Sequence, residues 1–199
     1  MRSWALVTVT AAALLVGSGC RNEPQLTGRR LDTAGPPRVL VGTRHDGTPF
    51  DLARPGDSEV EYSLVFFGFT SCPDVCPITL SNLGEVLDHL EDDAGRVAIV
   101  FAAVDPQRDT LEQLSTYVQA FDKRAVGVRL DEQQLEATKQ SFGLVVEIHE
   151  PEDPARPDHY AVDHTGTLFL LDDDARVVLT YPAYTDPGLI AGDLNQLLG

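Results

Sequence analysis

Basic residues are scarce in this chain of 199 residues. Lysine and arginine number 15 against 31 aspartates and glutamates, which gives a net charge of -16 with neutral histidines. Nucleic-acid binding needs a basic surface that neutralises phosphates, so this balance argues against a nucleic-acid partner. The acidic side chains are explained by a solvated surface, and they also suit a metal cation or a basic partner.

Cysteine is equally rare, since the chain has only Cys20, Cys72 and Cys76. Hydrophobic residues make up 43% of the sequence, which allows a sizeable core that needs no disulfides. A closed structural zinc site requires four ligands, so a single pair of thiolates is too few for one.

The first nineteen residues have the order of a secretory signal. Arg2 precedes an uncharged, mainly apolar run over 4–16, which is shorter than the roughly 20 residues that span a bilayer. The small residues that end at Cys20 resemble a bacterial lipobox, although Gly17 stands where that pattern has Leu, Val or Ile. We predict a signal peptide over 1–19 and a lipid on Cys20, with ordinary cleavage nearby or an uncleaved anchor as alternatives.

Prolines and glycines separate Cys20 from the rest of the chain. Residues 20–37 are predicted to be a flexible tether, and 38–199 a single domain. Apolar runs over 64–69 and 97–104 are typical of central strands, and stretches of helical periodicity follow them. A hairpin is predicted near residue 46 and a strand pair before a closing helix. This order predicts an α/β fold with a mixed sheet and helices on both faces, compatible with a thioredoxin-like arrangement.

Cys72 and Cys76 lie in the segment CPDVCP, between the strand over 64–69 and the helix that follows. Pro77 suits the first turn of that helix. The positive end of a helix stabilises thiolates, which bind metals and attack disulfides. The pair therefore predicts metal binding, a reversible disulfide or peroxide reduction. A purely structural disulfide is poorly motivated because it would close a very short loop.

Two thiolates with few partners suit Cu(I), and a third ligand must then come from elsewhere in the chain. The histidines are His45, His89, His149, His159 and His164. Two of them fall in an acidic, proline-rich loop over 147–163 that is predicted to be mobile. His164 immediately precedes a predicted strand, whose entry lies beside the cysteine turn in a thioredoxin-like sheet. It is a candidate ligand that Asp163 could orient, with an ordinary surface histidine as the alternative.

Three motifs occur in order: CPDVCP within residues 67–77, VDPQRDT over 104–110, and VDHT over 162–165. Together they resemble the SCO/SenC family of copper-binding assembly proteins for cytochrome c oxidase, and the likeness covers about 38–198. Three motifs in the same order are far more specific than a cysteine pair alone.

The resemblance implies a thioredoxin-like domain that is tethered to a membrane and faces the periplasm. It implies copper bound by Cys72, Cys76 and His164. It also implies delivery of copper to the CuA-bearing subunit of cytochrome c oxidase, or reduction of that subunit's cysteines. Outside the cytoplasm the pair tends to oxidise, so a periplasmic thiol reductant is a further expected partner.

A thiol–disulfide oxidoreductase is the alternative function, with Cys72 and Cys76 as its redox disulfide. The three residues between the cysteines, where the usual redox motif has two, count against it. The segment at Asp163-His164-Thr165 also lacks the proline of thioredoxins. A peroxidase would need an arginine near Cys72, and none stands in that segment. A metallochaperone is favoured over an enzyme.

Asp105, Arg108 and Asp109 of the second motif have two interpretations. They follow a predicted buried strand, where they could tune the cysteine site or meet a partner. Together with Thr110 they could instead cap the next helix.

Overall fold

The structure is a computed structural model that describes residues 25–31, 35–54, 59–151 and 153–199. The predicted signal peptide and Cys20 lie outside these ranges. Within the described part of the chain, no helix is long and apolar enough to cross a bilayer.

Strands and helices alternate along the described residues, as the periodicity predicts. The strands are β1 (Arg29–Arg30), β2 (Val41–Arg44), β3 (Pro49–Asp51), β4 (Tyr62–Gly68), β5 (Val97–Ala103), β6 (Val126–Arg129), β7 (Val146–Ile148), β8 (Val162–His164), β9 (Thr167–Asp172) and β10 (Val177–Pro182). The helices are α1 (Val75–Leu90), α2 (Leu111–Phe121), α3 (Glu132–Phe142) and α4 (Pro187–Leu198), with a 3₁₀ helix over Glu91–Arg96.

Eight of these strands form one mixed sheet in the order β1-β10-β9-β4-β5-β6-β2-β3. The central strands β4 and β5 are parallel, and β9 pairs antiparallel with β4 on its other side. Almost every residue of β4 and β5 is buried, because helices cover both faces. The carboxyl ends of β4, β5 and β10 and the start of β9 lie at one end of the sheet, called here the site end.

Side chains on β4 alternate between the two faces. The ring centroid of Phe66 lies 6.4 Å from that of Phe101, which lies 5.6 Å from that of Tyr117 on α2. Phe67 faces the other way and contacts Phe142 of α3 at 4.9 Å. Helix α1 packs against both α2 and α4. The predicted α/β fold with helices on both faces and an N-terminal hairpin, β2–β3, is thus confirmed.

The predicted tether over 20–37 includes residues that are part of the fold. Strand β1 pairs with β10, and the N–H groups of Thr27 and Gly28 donate to the carboxylate of Asp193 at 2.8 Å each. Tyr181 donates its hydroxyl to the same carboxylate at 3.0 Å. Gly28 lies so close to the Tyr181 ring that a Cβ would come within 2.6 Å of it. Composition did not predict this, because a two-residue edge strand has no periodicity.

The region predicted as a mobile loop over 147–163 is bounded by a second, two-stranded sheet. Strands β7 and β8 pair antiparallel, with Val146 opposite His164 and Ile148 opposite Val162. The pairing holds both ends of the loop together and fixes the start of β9.

We predict that Asp193→Ala lowers the free energy of unfolding of residues 25–199 by about 2 kcal/mol or more, because two backbone N–H groups and a buried hydroxyl lose a charged acceptor. Urea denaturation followed by circular dichroism measures the change. The exposed Asp173→Ala is the matched control and is expected to change little. Equal effects of the two variants would contradict a stabilising role for the hydrogen bonds between Asp193 and residues 27–28.

Candidate metal centre

Cys72 lies in the segment that joins β4 to α1, and Cys76 lies at the start of α1. Strand β4 ends at Gly68, and the N–H of Cys72 donates to the carbonyl of Phe69 at 3.1 Å, which turns the chain towards the helix. Cys76 lies in the first turn of α1 and is fully buried, whereas Cys72 retains 9% exposure. Both thiols are free. Both cysteines are therefore buried, and Cys72 keeps the small residual exposure of the pair.

Gly68 makes room for the buried cysteine. A Cβ built on Gly68 would lie 2.6 Å from the Cys76 Sγ and 2.7 Å from the Phe101 ring, closer than real Cβ contacts. The missing side chain lets the sulfur rest against the last residue of the central strand. The sequence showed this glycine inside an apolar run but gave no sign of this contact.

His164 is the last residue of β8 and faces the cysteines. Its Nε2 lies 3.8 Å from the Cys76 Sγ, and its Nδ1 lies 3.2 Å from the carbonyl oxygen of Thr165. A carbonyl only accepts, so Nδ1 carries the proton and Nε2 presents its lone pair towards the sulfur. Phe66 and Phe69 contact the ring edge-on at centroid distances of 6.1 and 5.8 Å. The imidazole is thus held in a ligating orientation.

The structure brings Cys72, Cys76 and His164 together, with their ligand atoms all within 4.8 Å of one another. Two soft sulfurs and one imidazole are the donor set that favours Cu(I). Cys72 and His164 also line an open pocket of about 310 Å³ with Pro73 and Tyr184. The group could therefore hold copper with one side accessible to a partner, and its role as the ligand set stays a prediction.

Burial shifts the pKa values of Cys76 and His164. Removal from water raises the pKa of the Cys76 thiol well above its usual value, with a further contribution from a hydrogen bond to Cys72. Desolvation therefore opposes the thiolate that the helix start is expected to stabilise at Cys76. Burial also lowers the pKa of His164, so its imidazole stays neutral at neutral pH.

Asp163 does not orient His164. Successive side chains of a strand point to opposite faces, so Asp163 turns away and its Oδ2 lies 2.8 Å from the Nε2 of His149. His45 accepts a hydrogen bond from the N–H of Gly127 at 3.0 Å. Neither His149 nor His45 belongs to the three-residue group.

Asp105 and Arg108 tie the loop after β5 to the segment that enters β8. The Nε of Arg108 donates to Asp105 Oδ2 at 2.5 Å, and the hydroxyl of Tyr160 donates to Asp105 Oδ1 at 2.7 Å. The Arg108 guanidinium stacks on the Tyr160 ring at 3.7 Å and donates to its carbonyl at 2.9 Å. This cluster positions the chain four residues before His164. Tyr160 was not a sequence candidate.

Asp109 supports the loop that carries Cys72 through hydrogen bonds. Its Oδ1 accepts hydrogen bonds from the N–H and hydroxyl of Thr70, at 3.0 and 2.6 Å. Thr110 alone caps α2, in a capping box with Gln113. The two interpretations of the second motif therefore divide between residues: Thr110 caps the helix, and the two aspartates support the site.

A family model described as SCO1/SenC matches residues 42–199 of this chain. The chain belongs to the SCO1/SenC family. The resemblance of the three motifs is thereby confirmed.

Relatives and solved structures agree with this membership. The chain is 31% identical over 143 residues to protein SCO1 homolog 1, mitochondrial, of Arabidopsis thaliana, covering 68% of this chain and 42% of that protein. It spans about half the length of the curated relatives it matches. The structure of Bradyrhizobium japonicum ScoI with copper bound matches with a TM-score of 0.71 and 29% identity, covering 81% of this chain and 99% of that one.

Apo Sco1 from Thermus thermophilus matches with a TM-score of 0.72 and 32% identity, over 86% of this chain and 96% of that one. The thioredoxin-like fold of these Sco structures is the fold seen here. The copper-bound neighbours and the donor set together make copper the metal that fits this SCO1/SenC site.

Gly68→Ala is expected to displace Cys76 and lower the affinity for Cu(I) by about tenfold or more, which is about 1.4 kcal/mol. Competition with a chromophoric Cu(I) chelator measures it. Gly166→Ala is the matched control, because a Cβ there meets nothing within 4 Å although Gly166 lies two residues from His164. Unchanged affinity in Gly68→Ala would refute the steric argument.

The affinity for Cu(I) is expected to rise with pH across the neutral range. The Cys76 thiol has a raised pKa, so metal binding must displace its proton, and this contributes about a tenfold gain per pH unit. His164 has a lowered pKa and is already neutral, so it adds no slope there. The same competition measured at several pH values, corrected for the chelator's own titration, tests this. An affinity independent of pH would contradict a protonated Cys76.

Proposed function

We propose that this SCO1/SenC protein is an extracytoplasmic copper chaperone for assembly of the CuA centre of cytochrome c oxidase. Copper is its cargo, held by Cys72, Cys76 and His164. The observation that carries the proposal is the convergence of these three donors within 4.8 Å at the edge of an open pocket. The copper-bound ScoI of Bradyrhizobium japonicum, similar over 81% of this chain, supports the same cargo.

A site with three donors and one side open to a partner suits the transfer of copper by ligand exchange. Cys72 and His164 line the open pocket, so a thiolate or imidazole of the oxidase subunit can approach the cargo beside them. The incoming ligand adds before a chaperone ligand leaves, and the cargo is never free in solution. Cys76 and His164 are held by packing and backbone, and they keep the cargo oriented during exchange.

The position of Cys76 suits a metal ligand. Its sulfur lies against Gly68 and is 3.8 Å from the Nε2 of His164. A buried sulfur beside an imidazole nitrogen supports a role in which copper is the partner of this cysteine.

The proposal includes export and a lipid on Cys20. The signal-like order of residues 1–19 and the small residues before Cys20 support it. Mass spectrometry of the membrane-extracted protein tests it, since diacylation adds a defined mass to a chain that begins at Cys20.

Thiol–disulfide exchange is the second candidate, favoured by the two free thiols of one short loop. The accessible Cys72 thiolate would attack a client disulfide and release one client thiol. Cys76 would then attack the mixed disulfide, release the second client thiol and leave a Cys72–Cys76 disulfide. A periplasmic dithiol reductant would return two electrons to the pair.

His164→Ala separates the two candidates. We expect it to weaken Cu(I) binding by at least about tenfold, since one of three donors is lost, and to leave reduction of a model disulfide by the cysteine pair unchanged. Chelator competition and a thiol-release assay measure the two activities. His149→Ala is the control, because His149 contacts Asp163 and is not among the three donors.

Undiminished copper affinity in His164→Ala would refute the ligand assignment. If His164→Ala loses copper binding but still supports oxidase assembly in cells that lack the native protein, thiol–disulfide exchange would be the favoured function.

A further inference from the structure

Strand β1 shows from which direction the N-terminal chain approaches the domain. Arg29 pairs with Thr180 and Arg30 with Leu179, so β1 runs antiparallel to β10 and away from the site end. Residues before Arg29 therefore lie towards the end of β10, where Pro182 pairs with Thr167. Thr167 follows His164 by three residues. The described residues that precede β1 thus lie on the side of the site end.

The connection to Cys20 is short. Leu26 packs against the core, and six residue steps separate it from Cys20, so the extended chain reaches at most about 20 Å. Strand β4 has seven residues and is about 23 Å long, which separates the two ends of the sheet. A lipid on Cys20 would therefore be tethered within about 20 Å of Leu26.

Exposed apolar side chains are found at the site end. Ile78 in the first turn of α1 is 41% exposed, Tyr184 between β10 and α4 is 56% exposed, and Leu189 in the first turn of α4 is 48% exposed. A hydrogen bond of 3.2 Å from the hydroxyl of Thr79 to the carbonyl of Ala183 links α1 to the turn that carries Tyr184. We call Ile78, Tyr184 and Leu189 the apolar rim. A tyrosine with aliphatic neighbours is the composition found at membrane–water interfaces.

The opposite end of the sheet is strongly acidic. The 3₁₀ helix before β5 begins with Glu91, Asp92 and Asp93, and the β9–β10 turn contains Asp172–Asp174. Tyr62 pairs with both Val97 and Asp172, which places these two segments at the same end. Arg96 and Arg176 offset only part of this charge. The site end also carries acids, since Asp74, Glu150, Asp153, Asp158 and Asp163 line its pockets, so the apolar rim and not the charge distinguishes the two ends.

We propose that the site end faces the membrane in which Cys20 is anchored, with the apolar rim in contact with the lipid surface. The inference rests on the lipid anchor of the proposed function. Its consequence is that the opening beside Cys72 lies close to the bilayer, so copper is passed to an acceptor at the membrane surface and not to one deep in the periplasm.

The test uses the mature chain with two acyl chains coupled chemically to Cys20, inserted into nanodiscs of phosphatidylcholine and phosphatidylglycerol. Lipids that carry gadolinium on their headgroups broaden the amide NMR signals of nearby residues. We expect loss of signal at Tyr184, Leu189 and Gly166, and retention of signal at Asp93 and Asp173. Equal loss at both ends, loss confined to the acidic end, or retention throughout would overturn the proposal.

The contact itself is tested by Ile78→Ser with Leu189→Ser, which is expected to restore part of the lost signal at the site end. Val39→Ser with Val41→Ser is the matched control, since these valines are 49% and 42% exposed near the other edge of the sheet. A site end that stays equally broadened in the rim variant would refute contact between the apolar rim and the lipid. Copper titration of the same sample tests the chaperone function separately, because the chemical anchor makes orientation independent of copper binding and of lipidation in cells.

Discussion

The contact between the Cys76 sulfur and the backbone at Gly68 is the constraint on which the site depends. It fixes the first turn of α1 against the central strand, and a side chain at Gly68 would break it. It also removes Cys76 from water, which raises the pKa of its thiol. The site therefore combines a well-positioned sulfur with a thiol whose pKa is raised by burial, so a bound metal must displace its proton.

Two polar contacts bring the remaining donors to that sulfur. Asp109 accepts both hydrogen bonds of Thr70 and so shapes the loop that carries Cys72. The cluster of Asp105, Arg108 and Tyr160 holds the chain that enters β8, which ends at His164. Both aspartates are buried and both belong to the loop after β5. One short segment thus couples the two halves of a site whose ligands are 88 residues apart.

The local hydrophobic pattern was enough to predict most of the fold. Apolar runs such as 64–69 mark buried strands, and the regularly spaced leucines of α1 mark a buried helix face. The cysteine loop was predictable for the same reason. His164 came from the motif resemblance, because its approach to Cys76 depends on β7–β8 pairing that no local pattern encodes. Strand β1, the Gly68 contact and the role of Tyr160 were missed, since each depends on tertiary neighbours. At Cys76, burial opposes the thiolate that the helix start is expected to stabilise.

X-ray absorption spectroscopy of residues 25–199 loaded with one equivalent of Cu(I) tests the central claim most directly. The account predicts a first coordination sphere of two sulfurs and one imidazole nitrogen, with the nitrogen scattering lost in His164→Ala and kept in His149→Ala. A sphere of sulfur alone, or a nitrogen that persists without His164, would contradict it.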